Sequence, residues 1–407
     1  MASLPLVVPA LRLEEHAWLA EQDGMTSRRA MSQANGPYRS AVPSAIADLE
    51  LTLPGSLAAD VEEAAAALGR FDLYARSALG PQSPALGPMA SILLRTESAS
   101  SSQIENLTVG ARQLALAEIG QASADNAEEV VANVRAMEAA LAVSGPLREE
   151  DVLRMHRVLL EGQQGWGAHA GRYRVGLVWV GTSRVTPRGA SYVAPQAALV
   201  PAAMRDLVAF MARDDLPVLV QAALAHAQLE TIHPFADGNG RTGRAVVHTL
   251  LHGKGLLTST TAPVSAGLLR DTERYFEALT AFRRGDARPI VERFCEASLF
   301  AAGSGVRLVD ALHARVVASE ERLDAAGLRR DAAARRLLPW LVGNPVVDAA
   351  FLVTRLGLAP ATARRALDDL TDAGVLVERS GKRRNRVWQH PGILEELDAY
   401  AQAIRRR

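Results

Sequence analysis

The sequence predicts a mainly helical protein with one β-hairpin set into its middle and a small helix, turn, helix, hairpin unit at its C-terminal end. Three observations carry this. Apolar residues recur at spacings of three and four along extended stretches such as 61–68 and 130–141. From Tyr173 to Val193 that period gives way to alternating, β-branched and aromatic residues around Thr186-Pro187-Arg188-Gly189. Beyond residue 336, two short helical patterns flank Gly357 and are followed by two short strand patterns around a basic tip.

With 407 residues and 48% hydrophobic content, the chain can bury a sizeable core in two or three domains. Lys plus Arg and Asp plus Glu both number 45, so no global attraction to nucleic acid or anionic lipid is implied and any such binding must be local. Cys295 is the single cysteine, which excludes an internal disulfide and a thiolate metal cluster and fits a reducing compartment, with the cytoplasm as the expected location. The opening residues lack a leading positive charge and run into Glu14 and Glu15, unlike a secretory signal. No stretch reaches the roughly 20 apolar residues that span a bilayer.

In order along the chain, residues 1–45 carry scattered Pro, Gly and Ser without a sustained period and are expected as an arm or docking segment. Residues 46–145 are rich in Ala, Leu and Glu at helical spacing, and residues 146–302 continue the helical pattern around the hairpin. Residues 303–335 are charged, Ala-rich and free of Pro, consistent with a helical connector. In 336–407, helices over 348–356 and 360–373 and strands over 375–378 and 386–388 follow the order of a winged helix-turn-helix domain.

The segment TIHPFADGNGRTGR, from Thr231 to Arg244, has the residue types of a site that holds a polyphosphate and deprotonates a hydroxyl. Pro234 cannot continue a helix, so the helix before it should end by presenting His233. Gly238, Asn239 and Gly240 each accept positive φ, which would turn successive N–H groups inward as an anion-binding nest. A helix expected from near Arg241, with Val246, Val247, Leu250 and Leu251 as its buried stripe, would aim its positive end at the same anion. Arg241 and Arg244 lie three apart on its first turn, and Asp237, the loop's one carboxylate, suits Mg²⁺ bridging phosphate oxygens. His233, the loop's one imidazole, is the candidate general base. A metal reading of His226, Glu230 and His233 is disfavoured, because the zincin HExxH pattern is absent.

This loop resembles the signature of the Fic (Fido) family, HxFx(D/E)GNGRxxR, at all eight specified positions. His156, Gly171, Tyr173 and Arg174 extend the resemblance through the family's HxxL and GxYR stretches. The resemblance implies a Fic/Fido helical core over 146–302 preceded by an associated helical region over 46–145. It implies protein adenylyltransfer (AMPylation): His233 takes a proton from a target Ser, Thr or Tyr, the oxygen attacks the α-phosphorus of ATP, and pyrophosphate leaves. Asp237 would hold Mg²⁺. Gly238, Asn239, Gly240 and Arg241 would bind the nucleotide phosphates, Arg244 the γ-phosphate, and Phe235 would anchor the loop. The hairpin, with Val178, Trp179, Gly181, Tyr192 and Val193, resembles the flap that pins a target segment by strand addition. Tyr275 stands where relatives place an aromatic near the nucleobase, and core packing of Tyr275 and Phe276 is the open alternative.

Ser101-Ser-Gln-Ile-Glu105-Asn106 matches the (S/T)xxxE(G/N) inhibitory helix motif of this family. The resemblance implies autoinhibition: Glu105 paired with Arg244 would deny that arginine to the γ-phosphate, with Ser101 and Asn106 positioning the helix. The expected partners are therefore ATP and a protein target or the chain itself. Arg379 to Arg386 holds five cations and no carboxylate, so DNA contact through 360–390, with Thr362, Arg364 and Arg365 approaching a groove, is one reading. Protein docking is the other, since Asp368, Asp369 and Asp372 share that helix. A homodimer, another nucleotide, net removal of AMP, and a DNA-binding regulator that uses the core as a nucleotide sensor stay open.

Overall fold

The computed structural model describes residues 4–20, 33–78, 86–121, 125–181, 183, 185–379 and 386–405. Its elements, in chain order, begin with β1 (Arg12–Trp18), β2 (Gly36–Val42), α1 (Gly55–Ala78), α2 (Leu86–Ile104), α3 (Ala111–Glu118), α4 (Asp125–Leu141) and α5 (Glu149–Leu160). They continue with β3 (Trp179–Val180), β4 (Tyr192–Val193), α6 (Val200–Met211), α7 (Val218–Ile232), α8 (Asn239–Gly253), α9 (Val264–Leu269), α10 (Thr272–Arg283) and α11 (Arg288–Ala325). The last are α12 (Ala333–Gly343), β5 (Val346–Asp348), α13 (Ala349–Leu356), α14 (Pro360–Asp372), β6 (Val377–Glu378), β7 (Val387–Gln389) and α15 (Pro391–Arg405). No helix among the described residues is long and apolar enough to cross a membrane. The protein is mainly α, and its residues form two compact units.

The first unit comprises Met1–Glu62, Ala139–Lys254 and Glu273–Cys295. Its centre is α7, buried at every position after Val218 because VLVQAALAHAQLETI is apolar or small all round rather than on one stripe. Helices α6 and α8 pack on it, and α5 packs on α8. The expected apolar stripe of α8 is buried at Val246, Val247, Leu250 and Leu251. The N-terminal stretch does not form an extended arm: β1 and β2 pair antiparallel from Arg12↔Val42 to Trp18↔Gly36. Ahead of β1, Val8 donates to Gly285 O at 3.0 Å and Leu6 O accepts from Ala287 at 2.8 Å, while the Leu6 and Val8 side chains are buried. The mid-chain hairpin is short, pairing Trp179↔Val193 and Val180↔Tyr192. Ala41 of β2 packs with Tyr192 and Ala194, so the two hairpins share a small core.

The second unit comprises Glu63–Glu138, Gly255–Thr272 and Glu296–Arg407. Helix α2 packs against α9 and α12. Two buried carboxylates organise its turns. Asp72 accepts from the amides of Thr258, Ser259 and Thr260 at 3.1, 3.0 and 2.8 Å and from the hydroxyls of Thr258 and Thr260 at 2.6 and 2.9 Å. Glu97 accepts from the Ser265 amide at 2.8 Å and from its hydroxyl.

In the C-terminal part, Asp348 caps α13 by accepting from Phe351 N at 2.7 Å, and Gly357 ends that helix with φ 63°. Helix α14 follows, then β6 and β7. Strand β5 completes an antiparallel sheet of order β5-β7-β6. That third strand, with the flanking α12 and α15, was not expected from the sequence. Arg386 sits 4.7 Å above the Trp388 ring, whereas residues 380–385, the basic tip of the expected wing, lie outside the described residues.

Candidate active site

Helix α7 stops where the chain requires it to. His233 closes it as a left-handed C-cap with φ 49° and ψ 59°, its amide reaching Leu229 O at 2.8 Å, and Pro234 follows. A non-glycine residue there costs roughly 1–2 kcal/mol, which its surroundings must offset. Arg174 does so by donating from Nε to His233 O at 2.8 Å and from its backbone amide to Pro234 O at 3.0 Å. The same guanidinium reaches Gly176 O at 2.9 Å and Pro195 O at 2.7 Å. Burial draws it down to about 10, so it remains a cation at neutral pH.

His156 braces the other side of the loop. Its Nδ1 accepts from the Gly171 amide at 3.0 Å, which leaves Nε2–H to donate to Asp237 O at 3.1 Å, and the ring stacks on Phe235 with centroids 3.7 Å apart. Burial lowers His156 to about 4, which keeps this neutral tautomer in place. Two glycines are required beside it. A Cβ on Gly171 (φ 66°) would lie 2.8 Å from Arg157 Cβ, and one on Gly238 (φ 73°) 2.8 Å from Leu159 Cδ2. The HxxL and GxYR matches are thus the scaffold of the loop.

Gly238 is the N-cap of α8, which begins at Asn239, two residues before the expected start. The nest of three positive-φ residues is corrected accordingly: Gly238 alone among the three has positive φ, because Asn239 and Gly240 are already in the first turn. Asn239 instead uses its side-chain amide to tie the loop, accepting from Phe235 N and donating to Phe235 O, both at 2.9 Å. Phe235 is fully buried. Arg241 is buried and donates from Nη2 to Asp237 Oδ2 at 2.9 Å, while the Asp237 side chain remains 40% exposed. Arg244 is also buried, one turn further along α8.

Behind His233 stands Glu230, one helical turn earlier. His233 Nδ1 is a buried atom without a hydrogen bond, and Glu230 Oε2 faces it at 3.6 Å, longer than a hydrogen bond but within charge attraction. Burial alone would raise the Glu230 carboxyl; the neighbouring His233, His226 and Arg244 outweigh it and hold Glu230 at about 2. A carboxylate accepts only, so the proton of a neutral His233 belongs on Nδ1 and the lone pair on Nε2. The sequence showed Glu230 only as part of a metal-like spacing. Among the described residues no three His, Cys, Asp or Glu gather as a metal cluster.

His226 is buried and shares a 2.6 Å hydrogen bond with Tyr275 Oη; burial lowers it to about 4. Tyr275 is itself 1% exposed, so this structure places it in the core, and the exposed ring of the pair is Phe276. In the flap, Tyr192 and Val193 are buried, with the Tyr192 hydroxyl donating to Thr231 O, whereas Trp179 is half-buried and packs edge-on to Trp18 at 5.4 Å. Val178 packs beside Tyr192, and a Cβ on Gly181 would lie 3.0 Å from Ala190 Cα.

In the second unit, Ser101 is buried near the end of α2, and Asn106 takes φ 65° beyond it while Leu107 N donates back to Ser102 O at 3.1 Å. That left-handed residue explains why the motif asks for Gly or Asn there, and it leaves Glu105 at the helix terminus. On α14, Thr362, Arg364, Arg365 and Asp368 are exposed.

Residues 146–251 match the Fic/DOC family and residues 58–142 the N-terminal region of that family. The Caenorhabditis elegans protein adenylyltransferase fic-1 is 32% identical over 145 residues, 35% of this chain and 25% of that relative. The Nematostella vectensis protein adenylyltransferase Fic is 30% identical over 145 residues, 35% of this chain and 30% of that protein. These matches span between a quarter and a third of the relatives' own length. Among solved structures, a Fic family protein from Desulfovibrio desulfuricans G20 aligns at 25% identity with a TM-score of 0.52, over 83% of this chain and 97% of that one. Residues 146–251, which carry the His233 loop, are thus similar to the Fic/DOC family.

Proposed function

We propose that the protein is an adenylyltransferase that moves AMP from ATP to a Ser, Thr or Tyr hydroxyl of a protein target or of itself. The observation that carries this is the His233 turn, an imidazole backed by a carboxylate and followed at once by Gly238 and the start of α8. The relatives named protein adenylyltransferase support it. Nε2 of His233 takes the hydroxyl proton, and the oxygen bonds to the α-phosphorus. The bond from that phosphorus to the bridging oxygen breaks, and pyrophosphate leaves with the electron pair. The first amides of α8 and the Arg244 guanidinium hold the phosphates. Asp237 fits Mg²⁺, being a hard oxygen donor that is 40% exposed and ion-paired to Arg241. Magnesium there would supply neutralisation of phosphate charge.

The same reading takes Glu105 as a brake, held at the end of α2 by Ser101 and the Asn106 turn. The test is transfer of label from α-phosphate-labelled ATP with Mg²⁺ to wild type, Glu105→Gly and Glu105→Gly/His233→Ala proteins. Label on Glu105→Gly alone is expected. Equal label on wild type removes the brake, label on the His233→Ala form removes the base, and net release of AMP from labelled protein reverses the direction of the reaction.

A second reading draws on the exposed Thr362, Arg364 and Arg365 of α14, in which residues 360–390 bind duplex DNA and the Fic domain senses nucleotide. Repression retained by His233→Ala, with DNA affinity falling steeply as salt is added, would favour it.

A further inference from the structure

Beside the flap, within the first unit, lies an open cleft of about 630 Å³. Arg39 of β2, Arg188 at the flap tip, and Arg283 and Arg284 at the end of α10 line it, and none of its described lining residues is Asp or Glu. One neighbouring carboxylate, Glu15, stands 3.7 Å from Arg39, but both side chains are about two-thirds exposed and such a pair is weak. The cleft is joined to the catalytic turn. Arg283 lies 3.7 Å over the Tyr192 ring and donates to Glu230 O at 3.1 Å, while the Tyr192 hydroxyl donates to Thr231 O. Thus the wall of the cleft is bonded to the last turn of α7, whose end is His233.

Resting on the adenylyltransferase reading, we propose that this cleft receives an acidic segment of the target protein and delivers a hydroxyl of that segment to His233. Four arginines without a lining carboxylate attract negative charge and penalise a basic segment. Leu11, Leu13 and Val193 stand among them as apolar contacts for intervening side chains, a mixture suited to a peptide rather than to a uniform phosphate backbone.

The test uses the full chain carrying His233→Ala, so that binding is read without transfer. A fluorescent peptide with one Thr flanked by Glu is compared with the same peptide flanked by Gln, by anisotropy across a salt series. The acidic peptide should bind about tenfold or more tightly, with the preference falling as salt rises. Arg39→Glu/Arg284→Glu, two exposed positions, should abolish or invert that preference, and Arg39→Gln should weaken it. Equal binding of the two peptides, a preference untouched by charge reversal, or tighter binding of a single-stranded oligonucleotide released by the same substitutions would each overturn the proposal. Acid-selective binding, with no transfer of AMP by the Glu105→Gly protein that keeps His233, would sink the adenylyltransferase reading and leave the cleft's preference standing.

Discussion

Glu230→Gln isolates what the carboxylate behind His233 contributes. At the observed 3.6 Å, its attraction for a protonated imidazole is about 1 kcal/mol in bulk water and about 4–5 kcal/mol at an effective dielectric of 20. Removing that charge takes this attraction away from the protonated form of the base, so the acid limb of the transfer–pH profile should move down. The amide also changes the tautomer balance, because its NH2 can donate to Nδ1 and place the proton on Nε2, where a base needs its lone pair. The expected outcome is a kcat lowered about 10²-fold or more with the KM for ATP not raised. Transfer is measured in the Glu105→Gly background from pH 5 to 9, with the melting temperature checked in parallel. An unchanged kcat, or an acid limb that stays in place or moves upward, would refute the orienting role of Glu230.

Three further outcomes follow from the geometry. Asp72→Asn faces an amide nitrogen toward donors and should cost about 2–4 kcal/mol of stability, read as a lower urea midpoint. Burial would raise the Asp72 carboxyl, but its Thr258, Ser259 and Thr260 donors bring it below the usual value. Its contribution is therefore present above the unfolded pKa and lost as pH falls through the lower folded one, so wild type and Asp72→Asn should converge in acid. Gly171→Ala must place a Cβ 2.8 Å from Arg157 Cβ at φ 66°; it should cost about 1–3 kcal/mol and lower transfer by displacing the amide that holds His156. Chelation of divalent cations should stop transfer, Mg²⁺ should restore it, and Asp237→Asn should raise the Mg²⁺ concentration required.

The loop from Thr231 to Arg244 was readable because its chemistry is contiguous, with proline, glycine and helix start each acting locally. Its supports were not, since a sequence match at His156 or Arg174 does not say that one will hydrogen-bond to Asp237 O and the other to His233 O. Glu230 was visible only as a spacing. Asn239 fits a phosphate ligand by residue type, yet its amide is committed to Phe235 by a backbone path that local rules do not specify. Helical spacing could not separate a core Tyr275 from a nucleobase contact, and burial with a hydroxyl bonded to His226 decides for the core here. Strands β1 and β2 escaped notice because RLEEHAW is exposed along most of its length and carries no apolar alternation. β5 is three residues long, too short for any period.

Arg174 gathers Gly176, Pro195 and His233 on one guanidinium, two carbonyls at the feet of the flap and one at the catalytic turn. A pull on the flap therefore reaches the histidine through a single rigid fork, with no flexible chain between. On the proposed function, substrate choice and catalytic competence would be mechanically one property of this domain. A flap recast for a different target must keep both of those carbonyls in register, so an exposed strand position such as Val180 can be rewritten while its base cannot.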